Sequence, residues 1–297
     1  MATGSTRFLD KLAQGLFADV PARQAFTAAV LGGQAGRPAV LWCQPRPEVL
    51  PFRPRLPHAW QPDFVDQVEP EARPGAHPLH QAGHYYCLDL SSVWAAAGVL
   101  AVPQPWQQVI DVCAAPGGKA IFAWAAGRPG HLVCNETVGK RLGMLSANLK
   151  RCQVSPVTVT HLDPARLATL YAHQADLVLV DAPCSGQSLV ARGEPNPGCF
   201  HPLTLQRNAN RQKRILAHAL ALLRPGGYLT YTTCTYALEE NEAVCTWLIK
   251  RFPQVHGRPV PTMAEFQSHL TSLPCYRLWP HQGYGAGGFM ALLQRQD

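Results

Sequence analysis

The sequence predicts an α/β protein with an open, mostly parallel β-sheet. From residue 83 onwards, apolar runs of strand length alternate with segments of helix-forming composition. Polar or reactive residues directly follow several of these runs, as in D-A-P-C at 181–184. Since ligands of open α/β sheets gather beyond the carboxyl ends of the strands, this pattern predicts a ligand site at one edge of the sheet.

The first 82 residues differ in composition and predict a small N-terminal module. Nine prolines between residues 45 and 78 exclude long helices and central strands from that stretch. The predicted elements of this module are helices at 9–17 and 21–31 and a strand at 39–43. We therefore expect two domains, residues 1–82 and residues 83–297.

In the second domain, each strand prediction depends on an apolar run that stops at a polar or turn-forming residue. The run D-L-V-L-V at 176–180 is typical of a strand covered on both faces. The predicted strands are 107–112, 131–135, 157–160, 176–180 and 228–232. The predicted helices are 91–99, an Ala-rich helix after Lys119, 138–152, 203–223 and 237–252.

The composition excludes several classes of protein. Of 297 residues, 47% are hydrophobic and only 15% charged, which argues against a largely disordered chain. We find neither a membrane-length apolar stretch nor a secretory signal, so we expect a cytoplasmic protein. Ten cysteines contain no C-x-x-C pair, so we expect neither a zinc site nor a disulfide framework. The net charge of +7 is compatible with a polyanionic partner but does not require one.

The sequence D-V-C-A-A-P-G-G-K at 111–119 predicts a strand, a tight turn and a helix N-terminus. Such a turn lets backbone N–H groups approach a ligand, yet its spacing is neither that of a Walker loop nor G-x-G-x-x-G. Glu136 follows the next predicted strand, close to the offset at which a carboxylate binds ribose hydroxyls. Together they predict a nucleoside-type ligand, the alternative being an ordinary turn and a surface Glu.

Two cysteines are predicted at strand ends, Cys184 in D-A-P-C-S-G and Cys234 in T-T-C-T. If the two strands are neighbours, both thiols face one pocket, which suggests covalent chemistry. A thiolate that adds to carbon 6 of a pyrimidine makes carbon 5 nucleophilic, so that it can take a methyl from a sulfonium donor. A carboxyl group such as Asp181 would stabilise charge at N3, and a base must then remove the C5 proton. The alternative is that each is a buried structural cysteine.

Arg207, Arg211 and Arg214 have the i, i+4, i+7 spacing that places them on one face of the predicted helix 203–223. Such a stripe is either a solvated face or a contact for RNA phosphates.

These motifs resemble those of the RsmB/Nop2/Sun family of S-adenosylmethionine-dependent RNA cytosine-C5 methyltransferases. The resemblance covers about residues 83–294 and depends on D-V-C-A-A-P-G-G-K, D-A-P-C-S-G and T-T-C-T in this order. It implies a class I, Rossmann-like methyltransferase fold with a mostly parallel seven-stranded sheet and an antiparallel last hairpin. It also implies that the N-terminal module is of an RNA-binding type.

The resemblance assigns roles to residues of this chain. It implies that Cys234 is the nucleophile, that Cys184 releases the product, and that Asp181 lies near the transferred methyl and the target base. The implied S-adenosyl-L-methionine site consists of Cys113, Ala114, Ala115, Pro116, Gly117, Gly118, Lys119, Glu136, Asp163 and Asp181. Within it, the turn 113–119 would hold the methionine part, Glu136 the ribose, and Asp163 the adenine.

The chain also departs from the family pattern, at Leu88, in residues 187–200 and in the first 80 residues. These departures affect the identity of the substrate more than the chemistry. We expect ribosomal RNA as the substrate, then tRNA, and a monomeric enzyme without metal. The alternatives are a catalytically silent RNA-binding or ribosome assembly factor and a small-molecule methyltransferase, whose fingerprint lacks the paired cysteines.

Overall fold

The computed structural model describes residues 3–296, whose strands form one large and one small β-sheet. The helices are α1 (Thr3–Leu16), α2 (Val20–Gly32), α3 (Pro78–Gln81), α4 (Leu90–Ala96), α5 (Gly118–Gly127), α6 (Gly139–Arg151), α7 (Pro164–Leu170), α8 (Gln187–Ala191), α9 (Pro202–Leu222) and α10 (Glu242–Arg251). The strands are β1 (Pro38–Trp42), β2 (Val65–Gln67), β3 (Tyr85–Asp89), β4 (Gln108–Asp111), β5 (His131–Asn135), β6 (Val157–Thr160), β7 (Ala175–Asp181), β8 (Leu223–Thr233), β9 (Val255–Arg258), β10 (Cys275–Leu278) and β11 (Gly288–Arg295).

The large sheet confirms the predicted mostly parallel α/β fold. Its strand order is β10-β11-β8-β7-β4-β5-β6, and β9 pairs with β11 as an eighth strand. The pairs from β6 to β8 are parallel, whereas β11 is antiparallel to β8, to β10 and to β9. The seven strands in the order from β10 to β6 therefore correspond to the predicted sheet of seven strands. The last hairpin, β10–β11, is antiparallel as expected.

The parallel strands are apolar because helices cover both faces of the sheet. In β7, Ala175 to Val180 are all buried. On one face the core is shared with α4, α5 and α6, and on the other with α7, α9 and α10. Both helix layers leave the carboxyl ends of β4, β5, β7 and β8 open to a common cleft.

The small sheet is antiparallel, in the order β2-β1-β3. Its last strand, β3, follows the predicted domain boundary at residue 82, so that boundary falls within the segment that builds this sheet. The proline-rich segment is mainly irregular, as expected, but contributes the short strand β2. Helix α2 packs against the other end of the chain, with Phe26 in edge contact with Tyr236 and Trp279.

The described residues lack two features, a membrane-spanning helix and a metal-binding cluster. Between residues 3 and 296, no helix combines the length and the apolar character needed to cross a membrane. The same residues contain no cluster of three or more His, Cys, Asp or Glu side chains that could bind a metal ion.

Candidate active site

A cleft of about 960 Å³ opens at the carboxyl ends of the central parallel strands. It brings together residues that lie far apart in the sequence. The predicted site residues that line it are Cys113, Ala115, Pro116, Lys119, Glu136, Asp163, Asp181, Cys184, Arg211, Arg214 and Cys234. The predicted residues outside its lining are Ala114, Gly117, Gly118 and Arg207.

The two cysteines of the sequence motifs meet at one end of this cleft. Strands β7 and β8 are parallel neighbours, with Asp181 opposite Thr232, so the loops that follow them leave the sheet side by side. The Sγ atoms of Cys184 and Cys234 are 3.2 Å apart, within hydrogen-bonding distance. Cys234 is exposed to the cleft, whereas Cys184 is half-buried.

The surroundings of the two thiols differ electrostatically. The hydrogen bond with Cys184 lowers the pKa of Cys234, and this effect outweighs desolvation and the charge of Asp181, which raise it; the Lys119 ammonium and the Ser188 hydroxyl also lower it. The same hydrogen bond, together with burial, raises the pKa of Cys184 well above its usual value. Because the thiolate is the nucleophilic form of cysteine, this environment makes Cys234 the better nucleophile.

Asp181 and Lys119 form an ion pair beside these thiols. The Lys119 Nζ lies 2.8 Å from Asp181 Oδ2, and the Thr232 hydroxyl donates to Asp181 Oδ1 at 2.8 Å. The Asp181 side chain keeps 39% of its surface exposed, so its carboxylate remains accessible from the cleft. Lys119 therefore reaches from the predicted cofactor turn to the cysteine end of the site.

The turn between β4 and α5 has the close-approach geometry that the sequence predicted. Gly117 has φ of 116°, a left-handed conformation that favours glycine, and α5 begins at the next residue. The Asn148 side-chain amide donates to Pro116 O at 2.9 Å, and the Ala114 N–H donates to Asn135 O at 2.8 Å. These bonds fix the turn, of which Cys113, Ala115, Pro116 and Lys119 line the cleft.

At the end of the cleft where the cofactor is predicted to bind, called the cofactor end below, the Glu136 carboxylate can accept a further hydrogen bond. Its side chain is buried, and Oε1 accepts a hydrogen bond from the Val138 N–H at 2.8 Å. Arg141 lies 3.1 Å from Oε2, but Oε2 accepts no hydrogen bond of good geometry from residues 3–296. Buried polar atoms are normally hydrogen-bonded, so this oxygen fits a ligand hydroxyl such as that of a ribose.

Two further carboxylates lie near this end. Asp163 caps α7, with Oδ1 accepting from the Ala165 N–H at 2.9 Å, and is exposed at the rim of the cleft. Asp111 is fully buried at the end of β4 and does not line the cleft. Burial and the charge of Asp181 raise the pKa of Asp111 to about 7.

Sequence reasoning missed several residues that line the cleft. Three of them belong to residues 187–200, which follow the Cys184 loop and whose fold the sequence did not predict: Ser188, Arg192 and Asn196. The Asn196 side-chain amide donates to Ser185 O and Gly186 O at 2.8 and 2.9 Å, which ties this segment to the Cys184 loop. Arg141 and His218 also line the cleft, on helices where no sequence motif marks them.

The three arginines of α9 are all exposed, but they differ in position. Arg211 and Arg214 line the cleft, whereas Arg207, one turn earlier, does not. Their role in RNA binding stays a prediction.

The profile of a family described as 16S rRNA methyltransferase RsmB/F matches residues 98–294. The chain belongs to this family. Among curated proteins, the ribosomal RNA small subunit methyltransferase F of Escherichia coli (strain SMS-3-5 / SECEC) is 35% identical over 192 residues, which are 64% of this chain and 40% of that protein. The protein of the same name from Shigella boydii serotype 18 has the same identity and coverage. The chain thus spans about 40% of the length of these relatives.

Solved structures support the same relationship. A methyltransferase homologue from Pyrococcus horikoshii superposes with a TM-score of 0.77, over 99% of this chain and 100% of that one, at 21% identity. This likeness shows the fold. NSun6 from the same organism, solved with SFG, has a TM-score of 0.61 and 26% identity over 75% of this chain and 56% of that one. SFG is an analogue of S-adenosylmethionine, the methyl donor of this family of methyltransferases.

Proposed function

We propose that this protein methylates carbon 5 of a cytosine in RNA through a covalent bond between Cys234 and the base. The observation that carries the proposal is the pair of thiols, 3.2 Å apart at the mouths of adjacent parallel strands and next to Asp181. Membership of an RNA methyltransferase family supports the reaction class. A methyltransferase acting on a small molecule, or a silent assembly factor, would not need two thiols in this arrangement.

The reaction requires different tasks of the two cysteines. The Cys234 thiolate adds to carbon 6, and the electron pair of the C5–C6 double bond moves to carbon 5 and, through the ring, towards N3. A proton shared between the Asp181 carboxyl group and N3 stabilises the negative charge that develops on the ring. Once Cys234 is bonded to carbon 6, the Cys184 thiol no longer donates a hydrogen bond to it and loses its proton to solvent. After methylation, the resulting Cys184 thiolate accepts the proton from carbon 5. The electrons of that C–H bond restore the double bond while the C6–S bond breaks and Cys234 leaves.

S-adenosylmethionine supplies the methyl group as an electrophilic sulfonium carbon. The residues present fit this molecule, because Oε2 of buried Glu136 is paired with the Arg141 guanidinium but accepts no hydrogen bond of good geometry from residues 3–296, and so can accept a ribose hydroxyl. The turn 113–119 would bind the methionine part with its backbone N–H groups, and Asp163 at the cleft rim would lie near the adenine. These residues would hold the donor on the side of the cleft that faces Asp181 and the two cysteines.

The proposed substrate is ribosomal RNA, with tRNA as the second possibility. The named relatives are ribosomal RNA methyltransferases, although this chain spans only about 40% of their length. A thiolate can reach carbon 6 only if the cytosine is unpaired or flipped out of its helix, so a loop or single strand is expected as the target. Arg211 and Arg214 line the cleft and are exposed, which supports the proposal that they contact phosphates near such a base.

Separate replacement of the two cysteines tests this mechanism. Cys184→Ala should attack and methylate but fail to release, so a protein–RNA conjugate should accumulate that survives denaturing gels. Cys234→Ala should abolish both methylation and the conjugate, because no thiol then reaches carbon 6. Bisulfite mapping of RNA from cells lacking the protein would identify the cytosine.

Cys199→Ala is a matched control, since Cys199 is buried outside the cleft lining. It should behave as the wild type. A conjugate trapped by Cys234→Ala would reverse the two roles. Full activity of both variants without any conjugate would exclude the covalent mechanism.

A further inference from the structure

Two adjacent polar residues, Glu240 and Asn241, lie beneath the cysteine loops, and neither lines the cleft. Both side chains have 0% of their surface exposed. Burying an amide or a carboxylate is unfavourable unless it is hydrogen-bonded, so the partners of these groups indicate why the fold accepts them. Those partners flank the two cysteines.

Glu240 holds the backbone on both sides of Cys184, with help from Gln212 of α9. Its Oε2 accepts hydrogen bonds from the Ser185 N–H at 2.9 Å and from Gln212 Nε2 at 2.8 Å. The same Gln212 amide donates to Pro183 O at 3.1 Å. The residues before and after Cys184 are therefore tied to one buried carboxylate–amide pair.

Asn241 does the same for Cys234. Its Oδ1 accepts a hydrogen bond from the Thr233 hydroxyl at 2.6 Å, and its Nδ2 donates to Thr235 O at 3.0 Å. The two loops are also joined directly, because the Ser185 and Thr235 hydroxyls are 2.7 Å apart. Each residue of this dipeptide thus holds one cysteine loop, while the peptide bond between them couples the two.

We propose that Glu240 and Asn241 are positioning residues with separable effects on the two halves of the reaction. Glu240, through Gln212, places Cys184 for proton removal and release, whereas Asn241 places Cys234 for attack. This inference rests on the proposed function, because it assumes that Cys234 forms the conjugate and Cys184 resolves it. A purely structural role would instead affect both steps alike.

The separation can be measured in single-turnover reactions that follow the protein–RNA conjugate over time. Glu240→Leu removes the hydrogen bonds to Ser185 and Gln212, and Gln212→Met removes those to Pro183 and Glu240. Each variant thereby loses one buried hydrogen bond to the backbone beside Cys184, so release should slow about tenfold and conjugate should accumulate. Thr233→Val removes one bond that flanks Cys234, and Asn241→Leu removes both. Both variants should form conjugate more slowly and accumulate none. Glu240→Gln keeps a side-chain oxygen that can accept both bonds and should restore release.

Glu239→Leu and Gln206→Leu make comparable replacements at neighbouring exposed positions and should match the wild type. Melting temperature and cofactor affinity identify any variant that is globally disturbed. Thr233→Val and Gln212→Met, as near-isosteric changes, keep the test decisive if the leucine variants do not fold. Equal slowing of formation and release in all variants, or no change in either, would overturn the inference. Cys184→Ala tests the proposed function separately. If this variant traps no RNA, the proposed function is wrong, whatever the other variants show.

Discussion

The two ends of the cleft differ in how their polar groups are satisfied. At the cofactor end, Glu136 keeps an oxygen without a hydrogen bond from residues 3–296, and Asp163 is exposed. At the cysteine end, the side chains around the thiols bond to one another and to the flanking backbone. Two buried oxygens there also lack a hydrogen bond from residues 3–296, Glu240 Oε1 and Gln212 Oε1, but both residues lie outside the cleft lining, where a ligand does not reach them. A site that binds an exchangeable ligand leaves acceptors for the ligand to satisfy. A site that carries out covalent chemistry holds its reactive groups in place before the substrate arrives.

Replacement of Glu136 by Gln gives the largest expected effect at the cofactor end. Loss of a charge-assisted hydrogen bond to the ribose should weaken the binding of S-adenosylmethionine roughly 10- to 100-fold. Calorimetry measures the affinity, and Glu265→Gln, exposed and outside the cleft lining, is the control. With saturating cofactor, the rate of conjugate formation should be unchanged. Unaltered affinity would mean that Glu136 Oε2 does not bind the cofactor and that the two ends of the cleft do not differ in this way.

Lys119 lies between the two ends of the cleft. Its replacement by Met tests whether it affects the Cys234 thiol or the binding of the cofactor. The positive charge helps to lower the pKa of Cys234, so its loss, which also leaves Asp181 unpaired, should raise that pKa. Iodoacetamide reacts with the thiolate, so the curve of Cys234 alkylation rate against pH should shift to higher pH. Peptide mass spectrometry isolates Cys234 from the other cysteines, and Lys140→Met is the exposed control. An unshifted curve together with weaker cofactor binding would place Lys119 at the cofactor end, as the sequence predicted.

The arginines of α9 are expected to produce the smallest effects. If Arg211 and Arg214 each contact one phosphate of single-stranded RNA, alanine at either position should reduce the slope of log affinity against log salt by about 0.7. Arg207→Ala is the comparison, because Arg207 lies outside the cleft lining. Equal changes for all three would show that RNA runs along the whole helix face. No change for any of them would identify the stripe as a solvated face.

Much of the sheet could be predicted because its central strands are covered on both faces and read as apolar runs. Strand β5 was predicted without error, and β4 and β7 within one or two residues. The strands of the small sheet were harder to predict, since β3 is short and β2 lies among prolines. The predicted strand 228–232 begins earlier in the structure, because β8 already pairs with β7 at Leu223.

The residues of the site also differ in whether the sequence could predict them. Residues at strand ends, such as Asp181 and Cys234, could be predicted because the order of strands brings such positions together. The contacts of Glu240 could not, because its partners are 28 and 55 residues away and on different elements. Long-range hydrogen bonds of this kind leave no periodic pattern in a sequence. Nor did the sequence indicate that Lys119 would pair with Asp181.

The antiparallel strand β11 has a consequence for how the protein assembles. It fills the gap between β8 and β10 and also pairs with β9, although it follows β8 by more than fifty residues. Contacts of such sequence separation form late, because a long loop must close before they stabilise the chain. Until then β8 is an unpaired edge next to the loop of Cys234, and an exposed edge can pair with other chains. The strand that leads to Cys234 therefore has an edge that is prone to aggregation while folding is incomplete.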